Sequence, residues 1–287
     1  MIKTVKYHEI DFEKYTQCIN HSAQKNWYAQ KEILDHLSGN WQLLVWNDYE
    51  AVMPVHLKKK FGFNFVHMPL FCQQLGVFSK EDNSDLNEKF LQYLREKFLV
   101  FLYNFNDNNK FKTILESRKN YKVPTTEYAF LRRKKYFKGR KSTVKMAQYL
   151  EFSELQLSTE TLHFIKNNYK GLSENDYAKL EDYISFLNEK KAVKFFGAYK
   201  ETQIINLAVV IEEKNELHLL ALINDEKMIS ENGASFLIDK VLEQNIEQKI
   251  FNFMGGNIRG IEVFFKSFGA ELAEYPFLQN KFLTKLV

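Results

Sequence analysis

The sequence predicts two α+β domains of one topology in tandem, and three observations carry that reading. The 287 residues exceed what one average domain needs. Each half shows a strand meander followed by helix, strand, helix, strand. A short motif also recurs about half a chain apart: Asn104-Phe105 precedes Glu127-Tyr128-Ala129-Phe130-Leu131, and Asn252-Phe253 precedes Glu274-Tyr275-Pro276-Phe277-Leu278. The expected division is 1–145 and 146–287.

In the first half, Asp11 to Leu37 reads as helical with one break. Trp41 to Trp46 and Ala51 to Lys58 are apolar and β-branched enough for strands, and Phe63 to Phe78 is a further extended region. Leu86, Phe90, Leu94 and Phe98 recur at every fourth position, which places them along one helical face. A strand over Leu99 to Phe105, a short helix over Lys110 to Arg118 and a closing strand over Thr126 to Leu131 complete the half.

The second half opens on a helical stretch, Thr159 to Lys190, interrupted around Gly171. Lys194 to Tyr199, Gln203 to Ile211 and Glu216 to Ile223 read as three strands joined by polar turns. Ala234, Leu237, Ile238, Val241 and Leu242 then share one helical face. Lys249 to Met254 is strand-like, and Gly255-Gly256-Asn257 turns the chain into a helix whose apolar stripe is Ile261, Phe264, Phe265 and Phe268. Gly269 closes that helix in the position where a left-handed residue is commonest.

Hydrophobic residues make up 45% of the chain and charged residues 26%, the balance of a folded domain rather than a disordered one. Cys18 and Cys72 form no CxxC pair, which fits a reducing compartment. The N-terminus soon meets Asp11 and Glu13 and lacks a signal peptide's apolar stretch, so a cytoplasmic location is expected. The longest apolar run, near Leu217 to Ile223, falls far short of the ~20 residues of a membrane span, so no integral membrane segment is expected. Charge is unevenly placed: Arg132 to Lys145 holds eight basic residues and no acidic one. At a domain junction such a run is either a solvated linker or the edge of a phosphate-binding cleft.

The stretch Ile250 to Leu278, IFNFMGGNIRGIEVFFKSFGAELAEYPFL, resembles the C-terminal signature of the Fem-type branch of the GNAT superfamily. A strand ends in a small-residue turn (Phe253 to Asn257), a helix carries Phe265-Lys266 near its end, and Gly269-Ala270 leads into a strand. Pro69 to Gly76 is similar to a first-domain segment of acetyltransferase-like relatives. The resemblance implies two GNAT-like acyl-CoA N-acyltransferase domains, each a mixed, mostly antiparallel sheet flanked by helices. It implies transfer of an acyl or aminoacyl group to a small-molecule or peptide-like amine acceptor, such as a cell-wall (peptidoglycan) precursor. The co-substrate would be acyl-CoA or aminoacyl-tRNA, with no permanently bound cofactor and no metal. A protein that keeps this fold for binding alone is the alternative.

Acyl transfer to an amine needs a positioned donor, a neutral nucleophile and stabilisation of the oxyanion, and no covalent nucleophile. Accordingly, the chain has no G-x-S-x-G elbow, HExxH or Walker loop. Its histidines are scattered, with His56 and His67 flanking a basic turn. Lys266 falls beside the apolar stripe of its helix and matches the Phe-Lys pair of the signature, so it is the expected catalytic cation. Asn232, Gly233, Ala234 and Ser235 open the helix at which GNAT enzymes hold the donor pyrophosphate, where free N–H groups and the helix dipole favour anions. Arg259, Arg140 and Lys141 are expected to add cations for the donor's phosphates. Gln73 and Gln74, amides in an apolar segment, and Lys58, in a basic turn, are the expected acceptor-binding residues. Two features depart from acetyltransferases: the helix-opening loop has one Gly with Glu231 beside it, and Phe264 or Phe265 stands where a proton-donating Tyr is common.

Overall fold

The computed structural model describes residues 1–60 and 62–281. The chain divides into two compact units, one of Met1–Arg118 with the chain from Glu274 onward and one of Lys119–Ala273. The boundary expected near 145 therefore lies earlier. The chain passes from the first unit to the second within one strand and returns within another.

In the first unit, β1 (Ile2–Lys6) is followed by α1 (Phe12–His21) and α2 (Lys31–Ser38), then by β2 (Trp41–Trp46), β3 (Ala51–Lys60) and β4 (Phe63–Val66). A short β5 (Phe78–Ser79), α3 (Ser84–Lys97), β6 (Leu99–Val100) and β7 (Leu102–Asn104) follow. The strand order is β1-β2-β3-β4-β6, with β5 on β3. All pairings are antiparallel except β4 with β6, so α3 lies in a parallel crossover. Phe90, Leu91 and Leu94 lie along one side of α3 and are buried, and the consecutive burial of Leu43, Leu44 and Val45 in β2 and of Val52 and Met53 in β3 means that both faces of these strands are covered.

The second unit is entered through β8 (Glu116–Val123), α4 (Tyr128–Phe130) and α5 (Lys138–Met146). It continues with β9 (Glu151–Leu155), α6 (Thr159–Asn168), α7 (Glu174–Glu189) and the meander β10 (Val193–Lys200), β11 (Gln203–Glu212) and β12 (Glu216–Asn224). Then come α8 (Gly233–Asn245), β13 (Ile250–Asn252), α9 (Arg259–Lys266) and β14 (Glu271–Gln279). Here β12 and β13 pair in parallel over Glu216 to His218 and Ile250 to Asn252, and α8 lies in their crossover. Past His218 the two strands no longer pair. One face of this sheet carries the main core, in which Phe236, Leu237, Val241 and Leu242 of α8 meet Tyr136, Leu150, Phe253, Phe265 and Phe268.

Three expectations are corrected. Lys110 to Arg118 is not a helix; β8 begins within it, a strand whose buried positions include Asn120 and Tyr121 rather than an apolar run. Thr126 to Leu131 is not a closing strand either. Tyr128–Phe130 is helical and the Tyr128 hydroxyl donates to Asp239 Oδ1 on α8 at 2.9 Å, whereas Tyr275 lies in β14, so the Tyr-x-Phe-Leu motifs are not structural equivalents. The duplication is carried instead by the two parallel crossovers. Finally, Arg132 to Lys145 is no linker: it is a π-helical turn followed by α5, inside the second unit.

Candidate anion-binding site

The site is built where β12 hands over to α8. Asn232, with φ 61° and ψ 25°, sits in the left-handed region at the helix start. Its side chain turns back to donate to the Ser230 carbonyl at 3.0 Å and does not cap the helix. The Ser235 and Phe236 amides bond to the Asn232 carbonyl at 3.0 and 3.2 Å. Among the described residues, the Gly233 and Ala234 N–H groups meet no acceptor, which leaves two donors at the positive end of a 13-residue helix. Gly233 is required there: a Cβ built on it would fall onto the Asn206 side-chain amide, whose buried Oδ1 has no hydrogen-bond partner.

Arg140 reaches this helix start from α5. Its Nη1 donates to Ser235 Oγ, and its Nε donates to Ser267 Oγ at 2.8 Å. The Ser267 hydroxyl in turn donates to the Phe264 carbonyl at 2.5 Å. The guanidinium lies over the rings of Phe264 and Phe268, 4.4 and 4.5 Å from their centroids. No carboxylate among the described residues pairs with it. Burial without a counter-charge pushes it down to about 10, against a small opposing influence of Tyr136. Accepting from Arg140 leaves the Ser235 hydroxyl its own proton to donate, so Ser235, the two free amides and the unused guanidinium N–H groups form one set of donors.

Glu231, two residues before α8, is drawn off by other partners. Lys200 Nζ donates to its Oε1 at 2.8 Å and the Tyr149 hydroxyl to its Oε2, and these bonds hold the carboxyl below its ordinary range. Its charge is thereby offset at the mouth of the site.

The other expected residues lie elsewhere. Lys266 is half-exposed (48%) and pairs with Glu262 Oε1 at 3.5 Å; Glu262 also accepts from Lys119 at 2.9 Å and from the Tyr121 hydroxyl at 2.8 Å. At about 100° per residue, Lys266 points away from the side of α9 that carries Phe264, Ser267 and Phe268. Arg259 is exposed on the first turn of α9, and Lys141 donates to the Arg133 carbonyl at 2.6 Å, so neither joins Arg140. Ile261 is exposed, which narrows the apolar stripe of α9 to its phenylalanines. In the first unit, Gln74 accepts the Asp107 amide at 2.9 Å and donates to Gln73 Oε1 at 3.2 Å, while Gln73 Nε2 is buried without a partner. Lys58 is exposed on β3. Sequence reading missed Ser267 and Asn206; Phe264, Ser267 and Phe268, spaced i, i+3, i+4, were the available signal for a helix face that receives a cation.

No known family profile and no curated protein matches this sequence. Solved structures do match in fold. A crystal structure of FemX superposes with a TM-score of 0.66 over 99% of both chains at 10% identity. A tandem GNAT protein from the clavulanic acid biosynthesis pathway gives 0.53 over 96% of this chain and 97% of its own, at 9% identity. The structure of L-PGS from Bacillus licheniformis gives 0.51 over 96% of this chain and 93% of its own, at 12% identity. With two parallel crossovers, each holding a helix between a meander and the next strand, the chain has the tandem GNAT fold of the Fem-like proteins.

Proposed function

We propose that the protein is an N-acyl or aminoacyl transferase whose second unit holds a phosphate-bearing donor, acyl-CoA or aminoacyl-tRNA, at the start of α8. The acceptor is an amine, of which a cell-wall precursor is one candidate. The observation that carries this reading is Arg140: a half-buried guanidinium without a carboxylate, stacked on two rings and directed at uncapped helix amides. Phosphate supplies the missing negative charge and accepts from amides, hydroxyl and guanidinium together. Lys266, on another face of α9, is assigned to the oxyanion that forms as the amine attacks the acyl carbon. Gln73 and Gln74, with an unpartnered amide donor between them, are assigned to a peptide-like acceptor.

Amide hydrogen exchange tests the donor assignment. With coenzyme A, or with a short RNA acceptor end bearing a non-hydrolysable aminoacyl group, exchange at Gly233, Ala234 and Ser235 slows while that at the start of α3 does not change. Slowing by one donor and not the other chooses between thioester and RNA chemistry. Unchanged exchange at α8 with both would remove the site.

A further inference from the structure

The basic segment splits by direction. Arg140, Val144 and Ala147 face inward, and on the opposite side of α5 lie Lys138, Ser142, Lys145 and Met146, with Tyr149 in the turn that follows. Only one of the eight cations is thus used by the site above. The outward side is not a plain solvated face. Phe137 is 50% exposed, Met146 62% and Tyr149 57%, and between and around them Arg133, Lys134, Lys138 and Lys145 pair with no carboxylate among the described residues. No acidic residue occurs from Tyr128 to Leu150.

We propose that this face, from Phe137 to Tyr149 with the preceding π-helical turn, docks reversibly on the surface of an anionic lipid bilayer. Clustered lysine and arginine are attracted to anionic headgroups, and large apolar side chains standing among them enter the boundary between headgroups and acyl chains; neither signal alone holds a protein there. Charge complementarity commits the surface to an anionic partner, and Met146 separates lipid from RNA. Phe137 and Tyr149 could stack on bases, but Met146, 62% exposed among the lysines, offers a polynucleotide neither a ring to stack nor a hydrogen to donate, whereas the headgroup boundary of a bilayer takes up such an apolar side chain. No helix among the described residues is long and apolar enough to cross a membrane, so the contact is peripheral. Arg140 takes no part in this face, and Tyr149 is the residue it shares with the surroundings of the donor site, through its hydroxyl bond to Glu231 Oε2.

The full chain is mixed with vesicles of phosphatidylcholine alone and with about one third phosphatidylglycerol, and the bound fraction is read by flotation. Binding is expected only with the anionic lipid, and it weakens steeply as salt rises from about 0.1 M to about 0.5 M. Lys138→Glu with Lys145→Glu lowers vesicle affinity by at least about thirtyfold. Phe137→Ser with Met146→Ser lowers it about tenfold and leaves the salt dependence unchanged. Lys134→Glu, outside α5, repeats the charge result should the α5 variants fail to fold, and the melting curve of each variant serves as the check on folding. Equal binding to both vesicles, or indifference to all these substitutions, overturns the proposal. So does loss of an RNA complex in the charge variants, or loss of a dimer in Met146→Ser, while vesicles are ignored by the wild type.

Discussion

Replacing Arg140 by Met removes the charge and keeps most of the stem against Phe264 and Phe268, where a thioether also packs well on rings. In the free protein the loss is two hydrogen bonds to hydroxyls, about 1 kcal/mol each, and a cation–π contact of about 0.5–1 kcal/mol. Against that stands the cost of holding a guanidinium out of water at about 10, on the order of 2 kcal/mol once discounted for the solvent that still reaches it. The two nearly cancel, so stability should change by no more than about 1 kcal/mol and Tm by about 2–4 °C. Donor binding has no such compensation. A charge-assisted bond to phosphate contributes about 1.5–3 kcal/mol, so coenzyme A, or the aminoacylated RNA end, should bind roughly 10- to 150-fold more weakly. Titration calorimetry beside a melting curve reads both quantities, and Arg140→Lys should recover part of the affinity because it restores charge without the fork. A Kd unchanged within about threefold at unchanged Tm would show that the guanidinium serves packing alone.

Gly233→Ala drives a methyl into the Asn206 amide and should cost about 1–3 kcal/mol of stability together with donor affinity; Asn206→Ala in the same chain should restore much of the stability, and failure to do so would place the strain elsewhere. Lys266→Met leaves Glu262 its bonds from Lys119 and Tyr121, so the melting curve should shift by less than about 1 kcal/mol equivalent while turnover falls about 10²- to 10³-fold. Equal turnover would take Lys266 out of the reaction. Lys119 and Tyr121 hold the Glu262 carboxyl down to about 2 from its usual 4.5, so its stabilising contribution is complete above pH 4.5 and lost as pH falls through about 2. Glu262→Gln should therefore flatten the acid limb of the melting profile in that window, and a parallel profile would refute the assignment.

Elements with a strong apolar period were legible in the sequence. The β10 to β12 meander, α8, β13 and α9 lie within a few residues of their expected places, because each buries one face against the second unit's core, and β14 is held by its own buried Tyr275 and Phe277. What failed lacked such a period. β8 carries Lys119, Asn120, Tyr121 and Lys122 in a strand pinned by polar bonds, including the Lys119 amide to Asn257 Oδ1 at 3.0 Å, and no hydropathy pattern marks it. Glu127 to Leu131 has strand-like composition, yet the buried carboxylate of Asp239 captures the Tyr128 hydroxyl and the chain turns helical there. The candidate site was half legible. Asn232 to Ser235 follow from element order, and Arg140 from a charge run, but the run's division between one inward guanidinium and an outward cationic face depends on the register of α5 against α8. That register is a tertiary fact.

The two crossovers also differ in a way that bears on which unit carries the chemistry. α3 stands in the first where α8 stands in the second, each between parallel strands. At α3 the helix start is already filled: Asn83 Oδ1 accepts the Asp85 and Leu86 amides at 3.0 and 3.1 Å, and Asp82, Asp85 and Glu88 crowd that end with negative charge. A phosphate there would have to displace a satisfied cap and face carboxylates, both of which oppose it. At α8 the left-handed Asn232 forgoes the cap, two amides meet no acceptor among the described residues, the carboxylate of Glu231 is tied to Lys200 and Tyr149, and the Arg140 guanidinium meets two hydroxyls but no carboxylate among the described residues. An uncapped helix start costs about 1 kcal/mol and an unpaired half-buried guanidinium more. α4, α5 and α9 of the same unit also lack a side-chain cap, so the missing cap alone does not single out α8; what distinguishes this helix start is that the Arg140 guanidinium meets it, and an anion bound there, as proposed, would offset both costs.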